Sequence, residues 1–165
     1  METNLQEEVV VVTNRMHIRK NPASSECGDI LVLDGKEQKL VSININNQTI
    51  LDRRYEITNE TLTIVDFPDS CELEITTEIK PQDNTVLMGL YKSSGIYCTQ
   101  CESEGFRRIT YFLDRPDVLS KFTTTIAADK KTYPILLSNG NLVDSGDLSE
   151  GRHWIKWEDP FLKPC

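Results

Sequence analysis

The chain has 165 residues, 38% of them hydrophobic and 27% charged, which suits one globular domain large enough to bury a core without disulfide staples. Eighteen Lys and Arg against 26 Asp and Glu give a formal net charge of -8, which argues against the basic footprint of a phosphate-backbone binder, so no nucleic-acid partner is expected. No stretch approaches the roughly 20 apolar residues that span a bilayer, so no membrane partner is expected either.

The segment Met1 to Glu8 carries three Glu and no Lys or Arg, so it is not a secretory signal. A cytoplasmic location is expected, or an organelle if the natural N-terminus lies upstream. Val9 to Ile18 is rich in β-branched residues, with Met16 and Ile18 alternating against Arg15, His17 and Arg19, and Asn21-Pro22 stops it. Ile30 to Leu33 is a second short apolar run, closed by the turn pair Asp34-Gly35. Leu40 to Ile45 alternates again, and Asn46-Asn47 turns the chain toward Thr49, Ile50 and Leu51. Tyr55-Ile57, Leu62-Ile64 and Leu73-Ile79 continue the strand series. In the last of these Leu73, Ile75, Thr77 and Ile79 share one face and Glu72, Glu74, Thr76 and Glu78 the other, the pattern of a sheet with one wet face.

Gly95 to Glu104 lacks a clean period and is placed in loop and short strand. Asp114-Arg115-Pro116-Asp117 reads as the start of a short helix, with Asp114 as N-cap or Pro116 near the first turn, because Phe122 to Ile126 reverts to β residues. Tyr133 to Leu137 is apolar, and Ser138-Asn139-Gly140-Asn141 predicts a hairpin turn. Leu142-Val143 follows and Ser145-Gly146 breaks it. His153 to Trp157 alternates bulky residues and ends at Asp159-Pro160. Phe161 to Cys165 carries no C-cap or polar tail, so a further strand is expected beyond it. The fold class that follows is all-β: an antiparallel β-sandwich, or saddle-like curved sheets, with one or two short helical turns. Residues 1–165 read as a single unit, the first few residues excepted.

Five cysteines, Cys27, Cys71, Cys98, Cys101 and Cys165, form an odd and scattered set, which favours reduced thiols over a disulfide framework. Asn47-Gln48-Thr49 and Asn59-Glu60-Thr61 fit the glycosylation pattern but, without a signal, are expected to stay unmodified. His17 and His153 are the only histidines, and neither is followed by Glu, so the His-Glu-x-x-His zinc motif is missing and both read as strand residues. Cys98-Thr99-Gln100-Cys101 is a CxxC. It reads as half a zinc site, as a redox pair, or more plainly as two unpaired cysteines flanking a loop. No second CxxC or His pair follows at knuckle spacing, and no βαβ context lowers a thiol pKa.

The blocks Gly89-Leu90-Tyr91-Lys92-Ser93-Ser94-Gly95, Cys98-Thr99-Gln100-Cys101-Glu102, Glu104-Gly105-Phe106-Arg107-Arg108-Ile109-Thr110 and Leu113-Asp114-Arg115-Pro116-Asp117 resemble the aminopeptidase N branch of the M1 metallopeptidases. The likeness resumes at Tyr133-Pro134, Leu136 to Asn141, Gly151-Arg152-His153-Trp154 and Trp157 to Phe161, and extends weakly upstream. The resemblance implies an all-β N-terminal domain packed against a thermolysin-like catalytic domain that holds the zinc and lies outside this chain. It implies no catalytic residue and no metal ligand here. By position, Glu102 matches the residue that binds the free α-amino group of a peptide substrate, and Gln100 one that lines the pocket for the first side chain. The expected partners are therefore peptide substrates and the catalytic domain of the complete chain. The expected function is scaffolding and substrate anchoring in a zinc metalloaminopeptidase, with the fragment alone inactive. The alternative is a non-catalytic β-sandwich interaction module, which burial of Phe106, Phe112, Trp154 and Trp157 would weaken.

Overall fold

The computed structural model describes residues 1–6, 8–22 and 28–165, so Cys27 lies outside the described residues. In chain order the strands are β1 (Glu2–Asn4), β2 (Val10–Arg19), β3 (Ile30–Asp34), β4 (Lys39–Ile45), β5 (Gln48–Thr49), β6 (Tyr55–Ile57), β7 (Thr61–Val65) and β8 (Ser70–Ile79). They continue with β9 (Gly89–Ser93), β10 (Ile96–Gln100), β11 (Ser120–Asp129), β12 (Asn141–Asp147) and β13 (Arg152–Lys163). The only helical elements among the described residues are single 3-10 turns at Asp52–Arg54, Pro81–Asp83 and Phe106–Arg108. The chain is all-β, as its alternation predicts.

Eight strands form one sheet in the order β12-β13-β11-β1-β2-β8-β4-β5. Its long pairings are antiparallel, but β1 runs parallel to β11, so the sheet is mixed. The first residues are therefore part of the sheet, contrary to expectation. Glu2, Thr3 and Asn4 pair with Thr125, Ile126 and Ala127 on one side and with β2 on the other. Thr3 is buried and Leu5 follows it into the core.

Two smaller sheets cover the inner face of the large one. The order β3-β7-β6 lies over one half. There Leu33, Leu62 and Ile64 meet Ile43, Leu73, Ile75 and Tyr111. The β9–β10 hairpin and the segment after it cover the other half, where Val10, Val12 and Ile79 pack with Leu90, Phe106, Ile109 and Phe112. The alternation of β8 accounts for both cores. Leu73 and Ile75 serve the first, Ile79 the second, and Thr77 between them is fully buried with its hydroxyl donating to the Ile109 carbonyl at 3.4 Å. A hydroxyl on that face needs such a partner to offset its desolvation. The opposite face is wet, with Arg15 bridging Glu74 at 2.6 Å and Glu2 at 2.5 Å, and Lys39 bridging Glu78 at 2.8 Å.

Asn46 (φ 50°) and Asn47 (φ 64°) take the left-handed turn that joins β4 to β5, as their sequence predicts. Other turn and breaker signals mean something else. Asp34-Gly35 is not a hairpin turn, because β3 pairs with β7 rather than β4. Gly35 is buried instead against Tyr111, whose ring carbons would lie 2.1 Å from any Cβ. No helix starts at Asp114. Its carboxylate takes the backbone N–H and Nε of Arg107 rather than capping the following turn. Tyr133 to Leu137 forms no strand and pairs with no ladder, so Asn139-Gly140 does not close a hairpin. The hairpin here joins β12 to β13 through Glu150 (φ 59°) and Gly151 (φ 71°). Ser145-Gly146 does not break β12, since Gly146 lies under the Trp154 indole, where a Cβ would sit 2.8 Å from Nε1. Asp159-Pro160 does not end β13, because Pro160 falls where the register with β11 shifts and β12 has already run out.

Candidate functional site

The β9–β10 hairpin turns through Ser94 (φ 50°) and Gly95 (φ 84°), a two-residue loop whose left-handed geometry matches the strand twist. Its register runs from Ser93 opposite Ile96 to Gly89 opposite Gln100, so Gln100 ends the ladder and Cys101 begins an irregular turn. Two glycines let that turn fold back onto the hairpin base. Gly89 (φ +72°) leaves only 2.7 Å between a would-be Cβ and Arg108 Cβ. Gly105 closes the turn by donating its N–H to the Cys101 carbonyl at 2.8 Å, and a Cβ there would sit 2.3 Å from the Gln100 carbonyl oxygen.

Beyond Gly105 the chain is anchored. Phe106 is buried, 5.0 Å from Phe112 and 6.0 Å from Phe122 by ring centroid, with the edge-on geometry aromatic pairs prefer. Arg107 donates from its backbone N–H (3.1 Å) and Nε (3.0 Å) to one oxygen of Asp114, which is 5% exposed. On the hairpin side, the Tyr97 ring packs tilted against Tyr133 at 5.3 Å, and the Lys92 ammonium lies 5.1 Å and 5.8 Å from the two ring centres. Lys92, Arg107, Asp114 and Tyr133 lie in the blocks that carry the family likeness and Tyr97 outside them, but sequence patterning assigns none of the five this framing role.

Between these anchors, Glu102 sits at the tip of the turn, exposed to solvent. Among the described residues no cation pairs with its carboxylate. Gln100 donates Nε2 to the Glu102 backbone carbonyl at 2.8 Å, so the two predicted residues are brought together and the amide braces the turn. Both line a cleft of about 720 Å³ between the hairpin, β11 and the Tyr133–Leu137 segment. Thr99, Phe122, Thr124 and Leu136 form part of its walls. The same cleft holds Lys163, but that ammonium is taken by Asp159, whose carboxyl it holds below the usual carboxylate range.

The remaining sequence candidates do not converge. His17 is exposed on β2 opposite Glu72, and His153 is buried on β13 with Nε2 2.8 Å from the Tyr133 carbonyl. Cys71, Cys98, Cys101 and Cys165 are free thiols. Burial, reinforced by the Asp114 charge, pushes the Cys101 thiol up to about 11. Burial and the hydrogen bond to Asp114 push Cys165 up to about 12. Metal and redox chemistry both use the thiolate, which these surroundings suppress. Among the described residues no three His, Cys, Asp or Glu side chains lie together as a metal site.

Comparison with known proteins places this architecture. The sequence model of the Peptidase M1 N-terminal domain matches residues 2–165. Aminopeptidase N of Escherichia coli is 54% identical over 135 residues, 82% of this chain and 15% of that protein. Aminopeptidase N of Caulobacter vibrioides is 50% identical over 153 residues, 93% of this chain and 17% of that protein. The chain thus spans less than one fifth of the length of these relatives. Among solved structures, Legionella pneumophila aminopeptidase A in complex with aspartic acid superposes with a TM-score of 0.93 at 36% identity, over 99% of this chain and 19% of that one. An M1 zinc metallopeptidase from Deinococcus radiodurans shares the fold, with a TM-score of 0.76 at 14% identity over 99% of this chain and 38% of that one. A family match that runs from β1 through the end of β13, over a mixed sheet that superposes on solved members, means that the chain belongs to the Peptidase M1 N-terminal domain family.

Proposed function

We propose that this chain is the substrate-anchoring domain of a zinc aminopeptidase, in which Glu102 binds the free α-amino group of a peptide and Gln100 lines the pocket for the first side chain. One observation carries the proposal: a carboxylate without a cationic partner among the described residues, held at a cleft on a braced and anchored turn. An N-terminal ammonium offers a positive charge and three donors, and a carboxylate facing it makes charge-assisted hydrogen bonds. Fixing that end of the peptide fixes the distance to the first peptide bond, so a single residue is released; this is catalysis by positioning. Gln100 Nε2 spends one of its two N–H donors on the turn, so its other N–H can donate to a ligand and its Oε1 can accept from one. The likeness to an aminopeptidase A crystallised with aspartic acid supports the proposal, since a free amino acid presents the same ammonium.

Zinc has no place among the residues described, and the bond-breaking chemistry is assigned to the part of the longer protein that this chain does not cover. That part is the proposed partner of the apolar side chains left exposed here, Ile135 (74%), Leu137 (71%) and Phe161 (75%) among them. Phe106 and Phe112 are buried but Trp154 and Trp157 only half-buried, so the burial that would weaken a free-standing interaction module is met at two of the four positions. In the full-length protein, Glu102→Ala is expected to lower kcat/KM for aminoacyl substrates by about 100-fold, the cost of leaving a desolvated charge unpaired, with zinc content unchanged. Near-wild-type turnover would remove Glu102 from the site.

A further inference from the structure

We infer that Arg107, tied to Asp114, is a positioning residue that aims the Glu102 turn. The inference rests on the amino-group role proposed for Glu102. Arg107 follows the turn directly and is held from every side. Its N–H and Nε share one Asp114 oxygen at 3.1 Å and 3.0 Å, and Nη2 donates to the Asp114 carbonyl at 2.9 Å. Its own carbonyl accepts from the Lys36 N–H at 2.8 Å and from Gln38 Nε2 at 3.1 Å. Nη1 lies 3.6 Å from Asp34, whose other oxygen accepts the Asp114 N–H at 3.1 Å.

The remaining reach of the guanidinium is toward the turn itself: Nη2 lies 3.5 Å from the Glu104 carboxylate, two residues past Glu102. Glu104 has φ 65°, an unfavourable conformation for a residue with a Cβ, so the turn needs an external hold at this point. The fork of Arg supplies it in several directions at once, which a Lys cannot do. Asp114 completes the frame by accepting the Cys165 thiol at 3.0 Å on its second oxygen. The turn is thereby clamped at both ends, by Gln100 before Glu102 and by Arg107 after it. A shift of about 1 Å at a positioning group is enough to cost on the order of 100-fold in rate.

The test is a double-mutant cycle in the full-length protein. Turnover of an aminoacyl p-nitroanilide is measured for wild type, Glu102→Gln, Arg107→Met and the double variant, with the folded fraction of each taken from its thermal melt. On the wild-type background Arg107→Met is expected to lower kcat/KM of the folded enzyme by about tenfold. On the Glu102→Gln background it is expected to lower it by less than about twofold, because the group being aimed is gone. Equal losses on both backgrounds overturn the inference and leave Arg107 as a stabiliser of the fold alone. If Arg107→Met folds poorly, Arg107→Lys, which keeps the charge and the stem but loses the fork, carries the same cycle with the same criterion. A Glu102→Gln enzyme as active as wild type overturns the amino-group role itself, and that single variant reports it independently of Arg107.

Discussion

Replacing Gly105 by alanine tests whether the close approach of the turn to the hairpin is obligatory. Gly105 has φ -94° and ψ -23°, which alanine adopts freely, so conformational strain does not enter. The cost is steric. The new Cβ would lie 2.3 Å from the Gln100 carbonyl oxygen, 2.9 Å from Cys101 Cα and 3.1 Å from the Cys101 carbonyl oxygen, all of them backbone atoms. Ordinary non-bonded contact needs about 1 Å more, so the end of β10 and the turn carrying Glu102 must move apart by that amount. Overpacking of this kind costs about 1–3 kcal/mol, and backbone neighbours with no rotamer to change place it at the upper end. At about 2–4 °C per kcal/mol for a chain of this size, the melting temperature falls by roughly 6–12 °C. Circular dichroism melts of the 165-residue chain measure it, with Gly95→Ser, a left-handed turn position where nothing among the described residues lies within 4 Å of the new Cβ, as a control free of steric clash. A Gly105→Ala melt within about 2 °C of wild type would refute the packing account of the turn.

Phe106→Ala removes the side chain around which Phe112 and Phe122 pack, and urea titration should show a loss of about 3–5 kcal/mol. Asp114→Ala strips the Arg107 guanidinium of its main acceptor, and the same titration should show about 3 kcal/mol lost; an unchanged midpoint would mean the pair is idle. The Cys101 thiol, raised from 9.0 to about 11, favours the folded state below pH 9, and that contribution is lost as pH climbs toward 11, because the unfolded chain ionises first. Melts between pH 8 and pH 11 should therefore steepen downward in wild type and flatten in Cys101→Ala; parallel curves would refute the burial of this thiol.

Strands that keep strict alternation on a single wet-and-dry sheet can be read from the sequence. In β8 the faces follow residue parity, so Leu73, Ile75 and Ile79 fall inside and Glu72, Glu74 and Glu78 outside without further information. Asn46-Asn47 is legible for a similar reason, since a two-residue turn is decided by the backbone preference of its own residues. Asp34-Gly35 and Ser145-Gly146 mislead because their glycines answer to Tyr111 and Trp154, far away in sequence. Asp114 misleads because a carboxylate suited to a helix cap is equally suited to an arginine, and the half-buried Arg107 offers more donors. At the site, the family likeness points to Glu102 and Gln100, while the brace between them and the hold through Arg107 depend on folded geometry that no spacing rule encodes.

The three-residue strand β1 joins the two halves of the large sheet, with β11, β13 and β12 on one side and β2, β8, β4 and β5 on the other. Its parallel neighbours, Thr125 to Ala127, leave the ribosome well after Ile79, whereas β2, β4 and β8 can pair as soon as Ile79 has emerged. Strand β1 must therefore wait, unzipped on one side, until Thr125 to Ala127 have been translated. Slowing synthesis between Ile79 and Ser120 would prolong the interval in which that seam stands open to another chain.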